Sequence, residues 1–391
     1  MESRYLTSTI SQDLNQKMVF VSGPRQVGKT TLAKKIGTTL FDSFSYLNWD
    51  NNEDKKIILN SIIPADTKLI IFDEIHKYGN WKTYLKGIYD KHHEDFSILV
   101  TGSARLDIYK KGGDSLLGRY FNLRLHPFSL AEMQQHLPKT EPLKELNFTS
   151  STKTTIKNWQ LLNKFGGFPE PLIKQDSKNL RRWQNHRIER LIKEDVRDLT
   201  MVREIGLMEV LADNLKSKVG SKLSINSLRE DLQLNHKTVS TWLDTLENFY
   251  YHFRIYPFGS DKIKALKKEA KLYLWDWSTV EEEGAKFENI IASHLLKYVH
   301  YLYDLEGYKA QLHYIRDIEG RETDFLVTID NKPWFAVEAK LSDQKPSNHL
   351  HYFAEKLKIP FSFQVINTPN QDYYNGKTRI ISADKFMTAL V

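Results

Sequence analysis

Apolar residues recur in short blocks along the first third of the chain: MVFVS from Met18, FSYLN from Phe44, KLIIFDE from Lys68, FSILVTGS from Phe96 and YFNLRL from Tyr120. Longer stretches with helical spacing separate them. Strands alternating with helices predict an α/β domain built on a mainly parallel sheet. The uninterrupted run Leu69, Ile70, Ile71, Phe72 predicts a central strand covered on both faces, since a half-exposed strand would alternate apolar with polar residues.

After His126-Pro127 the pattern turns helical, and residues Thr140 to Thr155, rich in Thr, Ser, Pro and charge, read as a connection between lobes. FGGFPEP, Phe165 to Pro171, is turn punctuation. Leu180 to Arg203 reads as one long solvated helix in which Arg181, Arg182, Arg187, Arg190, Lys193, Arg197 and Arg203 interleave with Glu189, Glu194, Asp195 and Asp198. Two short helices follow. The first opens at Ser224 with Leu228 and Leu232 on one face; the second is capped by Asn235 and repeats Val239, Trp242, Leu243 and Leu246 at i, i+3, i+4, i+7. Phe249 to Pro257 and Lys271 to Asp276 then read as the strands of a wing, joined by a segment carrying Lys262, Lys264, Lys267 and Lys268, so a winged helix is expected. From about Glu281 an amphipathic helix, strands near Leu312 to Arg316, Thr323 to Ile329 and Trp334 to Ala339, a helix at His349 to Lys358 and a strand at Phe361 to Asn367 predict a second α/β unit. The domain boundaries expected are 1–140, 141–278 and 279–391.

Composition narrows the chemistry. With 391 residues, 40% hydrophobic and 27% charged, the chain has enough apolar material for several ordinary cores. Its 56 basic against 49 acidic residues give a net charge of +7, which permits a polyanionic partner without requiring one. Zero cysteines exclude disulfides, thiolate metal sites and cysteine nucleophiles, and fit a reducing cytosol. The N-terminal residues lack the apolar core of a signal peptide, and no stretch approaches the ~18 apolar residues that a bilayer span needs. A cytoplasmic chain without membrane attachment is expected.

Gly23-Pro24-Arg25-Gln26-Val27-Gly28-Lys29-Thr30, followed by Thr31, satisfies G-x-x-x-x-G-K-[ST] between a predicted strand and a predicted helix. The glycines let backbone N–H groups curl toward phosphate oxygens at a helix N-terminus, Lys29 supplies a point charge, and Thr30 supplies a hydroxyl for Mg²⁺. Fifty residues on, the apolar strand ends in Asp73-Glu74, a Walker B pattern. Asp73 is expected to hold the metal together with Thr30, and Glu74 to polarise the attacking water. Thr101 and Ser103, ending the next strand, are candidate sensors of the γ-phosphate, and Arg105 and Arg119 candidate charge stabilisers.

GPRQVGKTT, LIIFDEIHK, VTGSARLD, SLLGRYFNLRLHPFSLAE and FGGFPEP together resemble the AAA-type ATPases of bacteria and archaea whose C-terminal half is a domain of unknown function. The resemblance spans essentially the whole chain. It implies ATP as the nucleotide, a lid with a winged helix, and a restriction-endonuclease-like C-terminal fold. His76 stands where glutamine is expected in that pattern.

In the C-terminal region, Glu288 on the helix, Asp324 in ETDFLV and Glu338-Ala339-Lys340 in WFAVEAKLS follow the order E, D, E-x-K used by PD-(D/E)xK nucleases. Period-two alternation puts Glu338 and Lys340 on one face of a strand, and an antiparallel neighbour can bring Asp324 opposite. Glu288, Asp324 and Glu338 are thus candidate ligands for Mg²⁺ or Mn²⁺, with Lys340 beside the nucleophile and Gln364 on a following strand. An E-x-K triplet by itself is common. Two functions follow: an Mg²⁺-dependent ATPase coupling nucleotide state to DNA binding and metal-dependent nucleic-acid cleavage, or a nucleotide-controlled DNA- or protein-binding switch with an inactive nuclease-like domain. DNA, a protein partner and further copies of the chain are the partners considered.

Overall fold

The computed structural model describes residues 4–102, 116–135, 141–196, 204–259, 270–342 and 345–391. Ser103, Arg105, Lys262, Lys264, Lys267 and Lys268 lie outside these described residues, as do residues 197–203. The chain forms two compact units, residues 1–126 with 248–250, and residues 127–247 with 251–391.

The first unit carries helix α1 (Thr7–Asp13), strand β1 (Met18–Ser22), α2 (Lys29–Leu40), β2 (Phe44–Asn48), α3 (Asn52–Leu59), β3 (Leu69–Asp73), α4 (Trp81–His92), β4 (Ser97–Thr101) and β5 (Tyr120–Arg124). All five predicted strands form, and they pair in parallel in the order β2-β3-β4-β1-β5. Every residue of β1 and β3 is buried, as their continuous apolar runs require of strands covered on both faces. Phe20, Ile70, Phe72, Ile98 and Val100 of the sheet share a core with Trp81, Leu85 and Ile88 of α4. Full burial of each such side chain contributes about 1.5–3 kcal/mol. Asn51 caps α3, accepting hydrogen bonds from the N–H groups of Glu53 and Asp54.

The second unit begins with helices: α5 (Leu130–Met133), α6 (Lys153–Phe165), α7 (Pro169–Lys174), α8 (Ser177–Arg190), α9 (Ile205–Lys216), α10 (Ile225–Leu232) and α11 (His236–Asn248). There follow β6 (His252–Pro257), β7 (Lys271–Leu274), α12 (Glu283–Asp304), β8 (Ala310–Arg316), β9 (Glu322–Ile329), β10 (Lys332–Lys340), α13 (Asn348–Lys356), β11 (Phe361–Ile366), β12 (Asp372–Asn375), β13 (Thr378–Ser382) and α14 (Ala383–Phe386). Its mixed sheet has the strand order β12-β13-β11-β10-β9-β8-β6-β7. The hairpin expected after the two short helices is present, with β6 antiparallel to β7, but β6 also pairs in parallel with β8. The hairpin is therefore one edge of the C-terminal sheet.

Helix α8 departs from the pattern reading. It runs to Arg190 and continues as a π-helix over Leu191–Val196. Lys193 and Glu189 make the expected exposed i,i+4 pair at 2.9 Å. Arg187 instead turns inward, 4.3 Å over the Phe168 ring and 3.9 Å from Asp276, because it lies one turn after buried Trp183. A second buried charge ties α12 to the start of this unit. The ammonium of Lys297 bonds the Glu132 carboxylate and the Ser129 hydroxyl (3.0 Å), and Ser129 and Glu132 form the capping box of α5.

Candidate functional site

The phosphate loop joins β1 to α2. Gly23 has φ 148° and Gly28 φ 101°, conformations that L side chains resist. A Cβ at Gly23 would also lie 2.4 Å from the Leu125 carbonyl oxygen, so sterics demand glycine there twice over. Between them Gln26 is left-handed at φ 63° and Val27 is fully buried. The side chain of Arg4 braces the loop by donating to the Val27 carbonyl at 2.9 Å. Pro24 is buried, Arg25 is partly buried, and Thr31 is exposed on the first turn of α2. The Lys29 ammonium donates to the carbonyls of Gly23 (2.9 Å) and Pro24 (2.8 Å), which holds it over the loop.

Asp73 meets this loop through the sheet. Its Oδ2 accepts from the Thr30 hydroxyl at 2.8 Å, and its Oδ1 from the Thr101 hydroxyl at 2.6 Å. Thr101 reaches it because β4 lies between β3 and β1, with Asp73 and Thr101 as register partners. Sequence reasoning missed a third donor: Tyr46 on β2 bonds Asp73 Oδ2 at 2.7 Å. Burial, then the bond and charge of Asp73, push the Tyr46 phenol pKa well up, so it remains a donor. Thr30 and Asp73 are the pair that could hold Mg²⁺, and their direct hydrogen bond shows that the two side chains reach one point.

Glu74 follows at φ 57°, left-handed backbone that is costly for a non-glycine residue. The Nε2 atom of buried His76 stands 3.4 Å from Glu74 Oε2. Arg119 pairs with Asp90 through its Nε (2.6 Å) and Nη2 (3.1 Å).

The second constellation lies in the C-terminal sheet. In the β9–β10 register Val337 faces Phe325, which carries Asp324 opposite Glu338. Asp324 Oδ2 accepts the Ala339 N–H at 3.0 Å, and Lys340 Nζ is 3.0 Å from Glu338 Oε1. Gln364 is buried and is the register partner of Glu338 on β11. Glu288, on α12, accepts the Tyr273 hydroxyl at 2.7 Å. Burial, and then the Asp324 charge, push the pKa values of both Glu288 and Glu338 upward. The four residues read from sequence therefore converge.

Three participants were missed. Lys271, the first residue of β7, places its ammonium 2.8 Å from Glu322, 3.3 Å from Glu288 and 3.5 Å from Asp324. Burial opposes its charge, but these three acids outweigh burial and raise its pKa. Glu322 had a signal in the sequence: it lies two residues before Asp324 and so on the same face of β9. Lys271 and Tyr273 had none beyond belonging to a strand. Among the described residues, no group of three or more His, Asp or Glu side chains is arranged to hold a metal ion.

Helix α11 buries Val239, Trp242, Leu243 and Leu246, and its outer face presents His236, Lys237, Thr241 and Asp244. Arg254 on β6 draws Asp244 and Glu247 into one ion-pair group. No helix among the described residues is long and apolar enough to cross a membrane.

Residues 15–134 match the family model of an AAA domain, residues 156–281 that of a domain of unknown function, DUF8612, and residues 283–386 that of another, DUF4143. An uncharacterized protein of Methanocaldococcus jannaschii is 25% identical over 386 residues, covering 89% of this chain and 82% of its own. An uncharacterized protein of Haemophilus influenzae is 23% identical over 335 residues, 78% of each chain. Among solved structures, the RuvB Holliday junction branch migration motor of Thermotoga maritima is similar at 16% identity and a TM-score of 0.32, over 63% of this chain and 87% of that one. The chain thus carries an AAA-type P-loop domain followed by two domains of unknown function.

Proposed function

We propose that the protein is an Mg²⁺-dependent ATPase whose nucleotide state governs DNA binding by a winged-helix lid and the state of a nuclease-like C-terminal domain. The observation that carries this reading is the joining of Thr30, Asp73 and Thr101 by hydrogen bonds at the carboxyl ends of adjacent strands, beside a phosphate loop held in left-handed turns. Loop N–H groups and Lys29 would bind the phosphates, and Thr30 and Asp73 would hold Mg²⁺, which when bound would neutralise phosphate charge. Glu74 takes a proton from the attacking water, with His76 at its carboxylate. DNA as partner is supported by the +7 net charge and by Lys237 with the lysines at 262, 264, 267 and 268.

ATP hydrolysis and nucleotide affinity test the core of this reading. Glu74→Gln is expected to bind ATP within about threefold of wild type while turning over ~10²–10³-fold more slowly. Hydrolysis at the wild-type rate would remove Glu74 from the mechanism.

A second reading has an observation in its favour. With Lys271 seated among Glu288, Glu322 and Asp324, the C-terminal domain fits a nucleotide-controlled binding module that does not cut. Incubating the full chain with Mn²⁺ and single- and double-stranded DNA separates the two, since only the first predicts cleavage that Asp324→Ala abolishes.

A further inference from the structure

The acids around Lys271 come from separate places in the chain, Glu288 from α12 and Glu322 and Asp324 from alternate positions of β9, yet all face one ammonium whose side chain is only 4% exposed. The hairpin closes this corner on more than one side. Tyr273, two residues along β7, bonds the same Glu288 oxygen that Lys271 approaches. Gly220, left-handed at φ 72°, lies so close that a Cβ there would meet the Glu288 carboxyl atoms at 3.2–3.3 Å. Bridges from Val219 to Leu272 and from Lys222 to Lys271 hold that backbone against β7.

Carboxylate oxygens are the ligands a hard divalent cation takes, and as they stand around the ammonium these three acids are not arranged to hold one. The ammonium fills the corner, and a dication brought there would sit against a buried like charge. The other half of the cluster differs. Glu338 is 5% exposed, its Oε1 pairs with Lys340, and its Oε2 is buried without a hydrogen-bond partner. A buried carboxylate oxygen left in that state is costly unless a cation or proton meets it. Arg316 takes the outer oxygen of Glu322 at 2.7 Å, and the buried carboxylate oxygen of this cluster left without a hydrogen-bond partner is Glu338 Oε2, beside Asp324.

We propose that Lys271 is a built-in cation that takes the place of a divalent ion at the Glu288–Glu322–Asp324 corner, so that this domain admits a metal only between Asp324 and Glu338. The inference narrows the metal site of the first reading above. It assigns the β6–β7 hairpin a part in the cluster: its first strand residue decides how many cations the acids accept. Removing the ammonium converts the corner into a divalent-cation site.

Mn²⁺ binding to the nucleotide-free full chain tests this, followed by loss of the free-ion paramagnetic resonance signal and by thermal melting. Wild type is expected to bind at most one Mn²⁺ beyond any that Asp73→Asn removes. Lys271→Met is expected to bind one more, or to bind the same one at least about tenfold more tightly. Adding Glu288→Gln should remove that gain, and Lys271→Arg should keep the wild-type number. If wild type binds no Mn²⁺ and Lys271→Met binds one, the corner assignment stands while the Asp324–Glu338 site of the first reading falls. Two ions in wild type that both survive Asp73→Asn, or a folded Lys271→Met with unchanged number and affinity, would overturn the proposal. Should Lys271→Met be unfolded in chelator, refolding on addition of Mn²⁺ supports the proposal, and remaining unfolded in saturating Mn²⁺ refutes it.

Discussion

Asp73 and Asp324 are both strand-borne aspartates at the centre of a charged cluster, and their neighbours treat them in opposite ways. Asp73 takes its hydrogen bonds from neutral hydroxyls, those of Thr30, Tyr46 and Thr101. Hydroxyls orient a carboxylate without cancelling its charge, so the negative charge remains available to an incoming cation. Asp324 takes one bond from a backbone N–H and faces the ammonium of Lys271. The same contrast holds for the lysines. Lys29 donates to two backbone carbonyls, dipoles that position it without matching its charge, whereas Lys271 is embedded in three carboxylates. One cluster is arranged around charge that a ligand must bring; the other has brought much of its own.

The two lysines give the sharpest way to break this comparison. Lys29→Ala is expected to lower kcat/KM for ATP by at least about 100-fold and to change stability by no more than about 1 kcal/mol. Lys271→Met in chelator should reverse the pattern. It leaves carboxylates buried without their cation, costing about 3–5 kcal/mol of stability, while the folded fraction binds ATP within about twofold of wild type. Urea melts alongside ATPase assays read both quantities, and equal stability losses at the two positions would erase the distinction.

His294 sharpens it from the opposite side, as a buried titratable group of the second unit whose ring bonds no acid, although the charge of Glu132 offsets part of its burial. It is fully buried, its Nδ1 lies 2.8 Å from the Ile290 carbonyl and its Nε2 has no partner. Burial pushes its pKa down to about 4. Between about pH 6.5 and 4 the unfolded chain therefore binds a proton that the folded chain refuses. The contribution is intact above about pH 6.5 and falls away by up to ~3 kcal/mol as pH drops through that window. Glu288 and Glu338, whose raised pKa values act in the other direction, cancel when wild type is compared with His294→Gln. The stability gap between wild type and that variant should narrow as pH falls. A gap constant from pH 7 to 4 would mean that the ring is already matched by charge.

The smallest effects come from a matched pair of phenols. Tyr46→Phe removes one bond to Asp73 and should lower kcat/KM for ATP by about three- to tenfold at nearly unchanged stability. Tyr273→Phe removes one bond to Glu288 and should cost about 1 kcal/mol of stability with ATP hydrolysis intact. Interchanged outcomes would count against the contrast.

What could be read from sequence followed the range of the interactions. The phosphate loop is contiguous, and its turns are written in Gly23 and Gly28, so its place between β1 and α2 was legible. Thr101 was legible too, because strand ends at the carboxyl edge of a parallel sheet share one rim. Tyr46 was not: its role depends on β2 lying next to β3, which no local pattern encodes. In the second cluster, period-two alternation located Asp324, Glu338 and Lys340, and applied once more would have found Glu322. Lys271 escaped because its partners lie 17 and 53 residues away, and because a lysine opening a strand reads as an exposed wing residue. Arg187 escaped for a related reason, since charge density along α8 outweighed the one position that shares a face with Trp183.

The pairing of β6 with β8 bears on how such a chain can be taken apart or recombined. Family boundaries separate residues 156–281 from 283–386, yet the eight-stranded sheet runs straight across that line. A C-terminal segment passed on alone from residue 283 would lose β6 and β7. It would bare the hydrogen-bonding rim of β8 to any passing strand and strip Glu288, Glu322 and Asp324 of their lysine. The segment marked off by the family match and the body held together by strand pairing are here different objects. Any exchange of C-terminal halves between relatives has to carry the hairpin along.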